Sequence, residues 1–460
     1  MRTTRLVSAT LIAVLTVAAP AYAEALVIHE WGTFTALQDG DGHAIGGINI
    51  DDEPVPAFVH DAAPGRLHAL NDQAPAFQKG WPAGDPQVTM RLETPVLYVH
   101  HAGPTAPTLA MRVDFHGGWL TQFFPMAEAT IPGTRDAKGR FVFAPLTSDT
   151  IGSLSWPVVH VGATAVAPPQ TSAPVWLAPR QVDAAPLTIG DESERYLFYR
   201  GIGHVEAPVR VTRAADGMLT IRPQPAAEAV TIYWLVDIRA DGGLAFRRID
   251  TVHAGLAPRE AGRETFPIDA YGPGQRAELK RQLHAELEQE GHLFADEAEA
   301  LLTTWEAAYF RSPGLRLFFL TPRTWTDQVL PLSVSQPAVI ERAMIGRIEL
   351  VSPAERAQLA IISAGPTSNA AWWNDFLAQR VYVFSDNRQP EFRPQGKDLL
   401  RQAENDPGAF ARLGLAVPRD YQAFLALGRF REALLAQALT DHPAPALVAF
   451  AKAYGYQEER

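Results

Sequence analysis

The sequence predicts an α+β fold, with antiparallel β-sandwich-like units followed by a helix-rich C-terminal region. Three observations carry this. First, runs rich in Val, Thr, Phe and Tyr fill residues 25 to 255, among them TPVLYVHH, LAMRVDF, RFVFAPL, RYLFYRGIG and VTIYWLVDIR, and Gly, Pro and Asp turns bound them. Second, the apolar period changes after residue 274. Leu279, Leu283 and Leu287 recur four apart, and Ala298, Leu301, Leu302, Trp305 and Tyr309 form a second helical stripe. Third, the 460 residues include no cysteine, so the fold rests on an apolar core without disulfides or thiolate ligands.

The segments follow in order. Residues 1–23 read as a signal peptide: Arg2 and Arg5 precede an apolar Leu6-to-Ala19 run, and Ala21-Tyr22-Ala23 is a cleavage signal before Glu24. Residues 24–156 are expected to form a β-rich domain. Residues 157–186 hold six prolines and read as a linker. Residues 187–260 are expected to form a second β unit. Residues 261–460 should be α-rich with a few strands, such as GLRLFFL and AMIGRIELV. Ser352-Pro353-Ala354-Glu355 is a capping box with proline at the first helical position, so a helix should start there. The run YQAFLALGRFREALLAQAL followed by PALVAFAKAYGY resembles one helix pair of the tetratricopeptide type.

Composition bounds the partners. No second stretch is apolar enough for a membrane span. The formal charge is −11, and removal of Arg2 and Arg5 with the leader makes it about −13, which argues against nucleic acid. The mature protein is expected to be soluble, periplasmic or secreted.

The stretch LVIHEWGTF places a histidine and a carboxylate side by side in an apolar strand. Side chains alternate along an extended chain, so Ile28, Glu30 and Phe34 share one face, while Val27, His29 and Trp31 share the other. His29 and Glu30 therefore cannot ligate one metal from a regular strand. Glu30 is the more unusual, because a carboxylate on an apolar face needs a partner or a proton. The structural expectation is an ion pair with arginine, and the functional one is a general acid or base. The adjacent His100 and His101 likewise point to opposite faces.

In INIDDEPVP, extended backbone puts Asn49, Asp51 and Glu53 on one side, with His60 following. These four are the candidate ligands for a divalent cation, against the alternative of a solvated turn. DGDGH (39–43) does not fit the EF-hand pattern. Arg180, Arg200 and Arg323 end apolar or aromatic runs and must find anions, either carboxylates such as Asp183, Asp327 and Glu349 or a bound ligand. There is no G-x-S-x-G, Walker A or G-x-G-x-x-G pattern.

HEWGTFT (29–35), INIDDEPVPAFVH (48–60), RLETPVLYV (91–99), RYLFYRGIG (195–203), and LTPRTWTDQVLPL with IGRIEL give the chain a family likeness over most of residues 25 to 350. It resembles a group of uncharacterised exported bacterial proteins, and that resemblance implies no reaction. Two functional expectations stand. One is an exported hydrolase of an anionic polymer or peptide, metal-assisted, with Glu30 as acid or base. The other is a non-catalytic cell-envelope or carbohydrate-binding protein that presents Trp119, Phe123 and Phe124 to a small-molecule or polymer ligand.

Overall fold

The computed structural model describes residues 26–454 apart from 52–54, 65, 70–83, 102, 104–106, 163–165, 225–229, 252–257 and 366–418. The signal-peptide reading, Glu53 and the Asp51 side chain lie outside the described residues. The α+β class is the one predicted: a large mixed sheet is followed by a helical C-terminal region.

At the middle of the sheet the Val27–Gln38 strand runs parallel to the Val339–Leu350 strand, from Val27 opposite Val339 to Gln38 opposite Leu350. On its other edge the first strand is antiparallel to Val96–His100 and Met90–Leu92. Beyond Val339–Leu350 lie Gly314–Leu320, Ile232–Ile238 and Leu244–Asp250, all antiparallel neighbours. On the far side come Leu197–Gly203, Gly118–Phe124 and Ile151–Val161. The sheet thus draws strands from both sides of residues 157–186. That proline-rich stretch contributes the end of one strand, a short helix and a 3-10 turn.

Alternation sorts the central pair onto two faces. Ile28, Phe34 and Ala36, with Met344 and Ile348, enter one core alongside Val113, Tyr199 and Leu317. Trp31, with Ala343 and Ile345, faces the other way onto the helices. There Gln275–Gln289 buries Leu279, Leu283 and Leu287, and Ala295–Thr304 buries Ala298, Leu301 and Leu302. The expected stripes are the packed ones. The capping box at Ser352 also forms: its hydroxyl accepts from the Glu355 amide at 3.2 Å, and Glu355 accepts from the Ser352 amide at 2.8 Å. The Pro353–Ala364 helix it starts packs with Arg419–Ala426 and Pro445–Tyr454 around Phe424, Leu434 and Leu447.

Charges are buried in pairs. Glu30 lies opposite Arg342 in the parallel register, and the Arg342 Nε donates to its carboxylate. The Tyr199 hydroxyl donates to the other oxygen at 2.5 Å. On the opposite face Glu93 accepts from Arg91 at 2.6 Å, from Arg347 at 3.0 Å and from the Tyr309 hydroxyl at 2.9 Å. Burial pushes the Glu93 carboxyl up, but Arg347, Arg91 and its hydrogen bonds outweigh that and bring it down to about 2. Glu349 gathers Arg316 at 3.3 Å, Arg347 at 3.5 Å, and Arg429 from the C-terminal helices. Burial among these like charges holds the Arg316 guanidinium down at about 9, despite Glu349.

Each of Glu30→Gln and Arg342→Met should lower unfolding free energy by about 3–5 kcal/mol, because each leaves one partner charged and buried. The double variant should lose less than the sum. Denaturant titration measures both, and additive losses would contradict a direct pair.

Because the folded carboxyl of Glu93 lies below its ordinary 4.5, its stabilisation is present above pH 4.5 and is lost as pH falls towards 2. The shift is worth about 3 kcal/mol at 1.36 kcal/mol per pH unit. Glu93→Gln should therefore be less stable at neutral pH and show a flatter stability curve between pH 4.5 and 2. Parallel curves for variant and wild type would contradict the assignment.

Candidate functional site

The face of the first strand opposite Glu30 carries the second ionisable group. His29 pairs across the sheet with Tyr98, so His100, two residues further on, lies diagonally beside it on the same face. The two imidazoles sit 5.2 Å apart, ring centre to centre. The Ala295–Thr304 helix points its first turn at them and supplies Glu297. Glu297 Oε2 lies 2.6 Å from His29 Nδ1, and Oε1 lies 2.9 Å from His100 Nε2. The Phe294 amide donates to Oε2 at 2.8 Å, so the same carboxylate that joins the histidines also caps the helix.

The cluster is graded in exposure. His29 and Glu297 are buried, His100 keeps 15% of its side-chain surface, and Phe294 is 48% exposed. The Phe294 ring rests 4.6 Å from His29 and 4.9 Å from His100, so the apolar cover of the site is itself at the surface. Burial pushes the Glu297 carboxyl up, but hydrogen bonds from His100 and His29 and the charge of His29 prevail, and the group lies below the usual carboxylate range. Chemically, the site brings two imidazole nitrogens and a carboxylate oxygen to one point beside solvent.

Glu297 stands apart from most buried carboxylates here. Glu30, Glu93, Glu194, Glu264 and Glu349 each pair with at least one arginine. Glu286 accepts from the Thr231 hydroxyl at 2.8 Å. Among the described residues, only histidines form ion pairs with Glu297.

The residues singled out in the sequence fall elsewhere. Glu30 is fully buried on the other face of the strand, with its two oxygens taken by Tyr199 and Arg342. Asn49 donates to the Arg66 carbonyl and accepts from the Asp85 amide, both at 2.8 Å. His60 pairs with Glu192 at 2.8 Å and stacks near Phe124. Both side chains are thus engaged away from each other. Arg180 donates to Glu194 at 2.6 Å rather than to Asp183, and Arg323 donates to its neighbour Asp327 at 2.7 Å. Arg200 is buried, with its guanidinium 5.9 Å from the Phe198 ring centre. Trp119, Phe123 and Phe124 are buried, so they form no exposed aromatic row. In DGDGH the Asp39 carboxylate accepts from the Asp41 and His43 amides at 2.8 and 2.9 Å, which makes this stretch a turn.

Sequence reasoning singled out neither His100 nor Glu297 as part of a site. His100 joins His29 only through the strand register. Glu297 stands in an amphipathic helix as one surface-type acid among several. Its capping role leaves no S/T-x-x-E signature, because Phe294 stands at the cap.

No family model and no curated protein matches the chain. Solved structures that match include the Fcho1 Mu homology domain of Danio rerio with bound Eps15 peptide, at 8% identity over 72% of this chain and 96% of that one, with a TM-score of 0.24. The yeast delta-COP-I mu-homology domain complexed with a Dsl1 WxWxV peptide matches at 10% identity over 71% of this chain and 96% of that one, with a TM-score of 0.21. Superpositions this loose carry no argument about fold or function.

Proposed function

We propose that this chain is an exported hydrolase of a polymer or peptide, with its reacting centre at His29, His100 and Glu297. The single observation behind this reading is the convergence of two imidazoles on one buried carboxylate beneath a half-exposed aromatic ring. Export is supported by the three-part leader, Arg2 to Ala23.

Hydrolysis needs a group that takes a proton from water and returns it to the leaving group. His100 is the member of the cluster with solvent contact, and Glu297 fixes its ring. His29 braces the same carboxylate from the buried side. Glu30, held between Tyr199 and Arg342, serves here to anchor the strand that carries His29. Arg180 and Arg323 are matched by their own carboxylates, so this reading places no requirement for negative charge on the substrate. The alternative, a binding protein with an aromatic platform, loses support because Trp119, Phe123 and Phe124 are buried.

Fluorogenic peptides and dye-linked glycans, offered to the purified mature protein, test the proposal. Turnover of at least one should fall by about 10²–10⁴ in His100→Asn, the range for loss of a general acid–base group, with the thermal melt retained. No turnover on any substrate, together with measurable binding to one, would move the chain to the binding class.

A further inference from the structure

We infer that His29 Nδ1, His100 Nε2 and one oxygen of Glu297 bind a single divalent transition metal ion of the zinc type, with a coordination position left open beneath Phe294. This rests on the same cluster as the hydrolase reading but needs no substrate to be measured.

Geometry is the first support. One nitrogen of each imidazole and one oxygen of Glu297 lie within 4.8 Å of one another. Their contacts to Glu297, 2.6 and 2.9 Å, are hydrogen-bond lengths. Zinc takes imidazole nitrogen at about 2.0–2.1 Å and carboxylate oxygen at about 2.0–2.2 Å, so tetrahedral donors sit about 3.3 Å apart. To admit the ion, His29 Nδ1 and the carboxylate move apart from 2.6 Å while the remaining donors, within 4.8 Å, draw together, and the ion takes the place of the shared protons.

Electrostatics is the second support. A buried carboxylate needs a cation, and five others in this chain have arginine. Glu297 has two imidazoles in that place. A divalent ion supplies the positive charge with the imidazoles neutral, the state in which they ligate.

The donor set gives the metal class. Two imidazole nitrogens and one carboxylate oxygen suit zinc and its neighbours, whereas calcium and magnesium require mostly oxygen. The supports are stiff: His29 and His100 stand on paired central strands, and Glu297 is fixed in its helix by the Phe294 amide. Three protein ligands leave at least one position for water or substrate. Phe294 lies against both imidazoles and is half exposed, so the open position faces the side from which a ligand can arrive.

Full-length mature protein, stripped with chelator, is dialysed separately against zinc, calcium and magnesium and desalted. Metal content by elemental analysis and thermal melts are the readouts. The expected result is about one zinc per chain with a raised Tm, and neither for calcium or magnesium. Losing a group that merely supports a ligand costs about 10–100-fold in affinity, so His100→Ala should lose more than that. Glu297→Gln keeps an acceptor for the Phe294 amide and hence the helix cap, and it too should lose zinc while its circular dichroism is retained. No zinc in the wild type, or equal zinc in both variants, would overturn the inference. Zinc bound without turnover on any substrate leaves the metal site standing and removes the hydrolase. Turnover unaffected by chelator, with no zinc, does the reverse.

Discussion

The parallel pairing of Val27–Gln38 with Val339–Leu350 is the constraint on which the rest depends. It joins residues 312 positions apart, as Glu30 and Arg342 are. Pairing in that register decides which way every side chain of the central ribbon points. Glu30 and Arg342 meet on one face, and Thr35 and Arg347 meet on the other, at 2.8 Å. A slip of one residue would carry His29 to the Glu30 face and break both contacts, the Glu30–Arg342 ion pair and the Arg347–Thr35 hydrogen bond. The buried pairs therefore hold the register as well as each other. The C-terminal helices are tied to the same ribbon, because Arg429 reaches Glu349 on the second strand.

Against that background the His29–Glu297–His100 cluster is the exception that suggests use. A core charge held by arginine is permanent, since guanidinium does not release its proton in ordinary conditions. A carboxylate held by histidines is conditional: its partners take up or give up protons, or give way to a metal ion. Most of the buried glutamates belong to the permanent kind. Glu297 is of the conditional kind and lies one aromatic ring below the surface. The helix cap accounts for the carboxylate, but not for the two imidazoles that converge on it.

Much of the fold was legible in the sequence because its signals are local. The Leu279, Leu283 and Leu287 stripe, the Ser352 capping box and the strand runs all depend on residues within a turn or two. The opposition of His29 and Glu30 followed from alternation alone, and burial of Glu30 against an arginine followed from the cost of an isolated charge. The site was not legible, because each link in it is long-range. His100 reaches His29 through strand pairing, and Glu297 reaches both across 268 and 197 residues. The same holds for Arg180, whose nearby Asp183 looked available while Glu194, brought close by folding, took the contact. The proline-rich stretch at 157–186 read as a break, yet the sheet runs through it, since proline punctuates the local chain without saying what pairs beyond it.

An anomalous difference map, recorded at the zinc edge from crystals of the zinc-loaded protein, tests the central claim most directly. The account predicts one peak bounded by His29 Nδ1, His100 Nε2 and a Glu297 oxygen, each about 2.0–2.2 Å away, with Glu30 still paired to Arg342 on the opposite face. A peak at other residues, or no peak with the two imidazoles still hydrogen-bonded to Glu297, would contradict it.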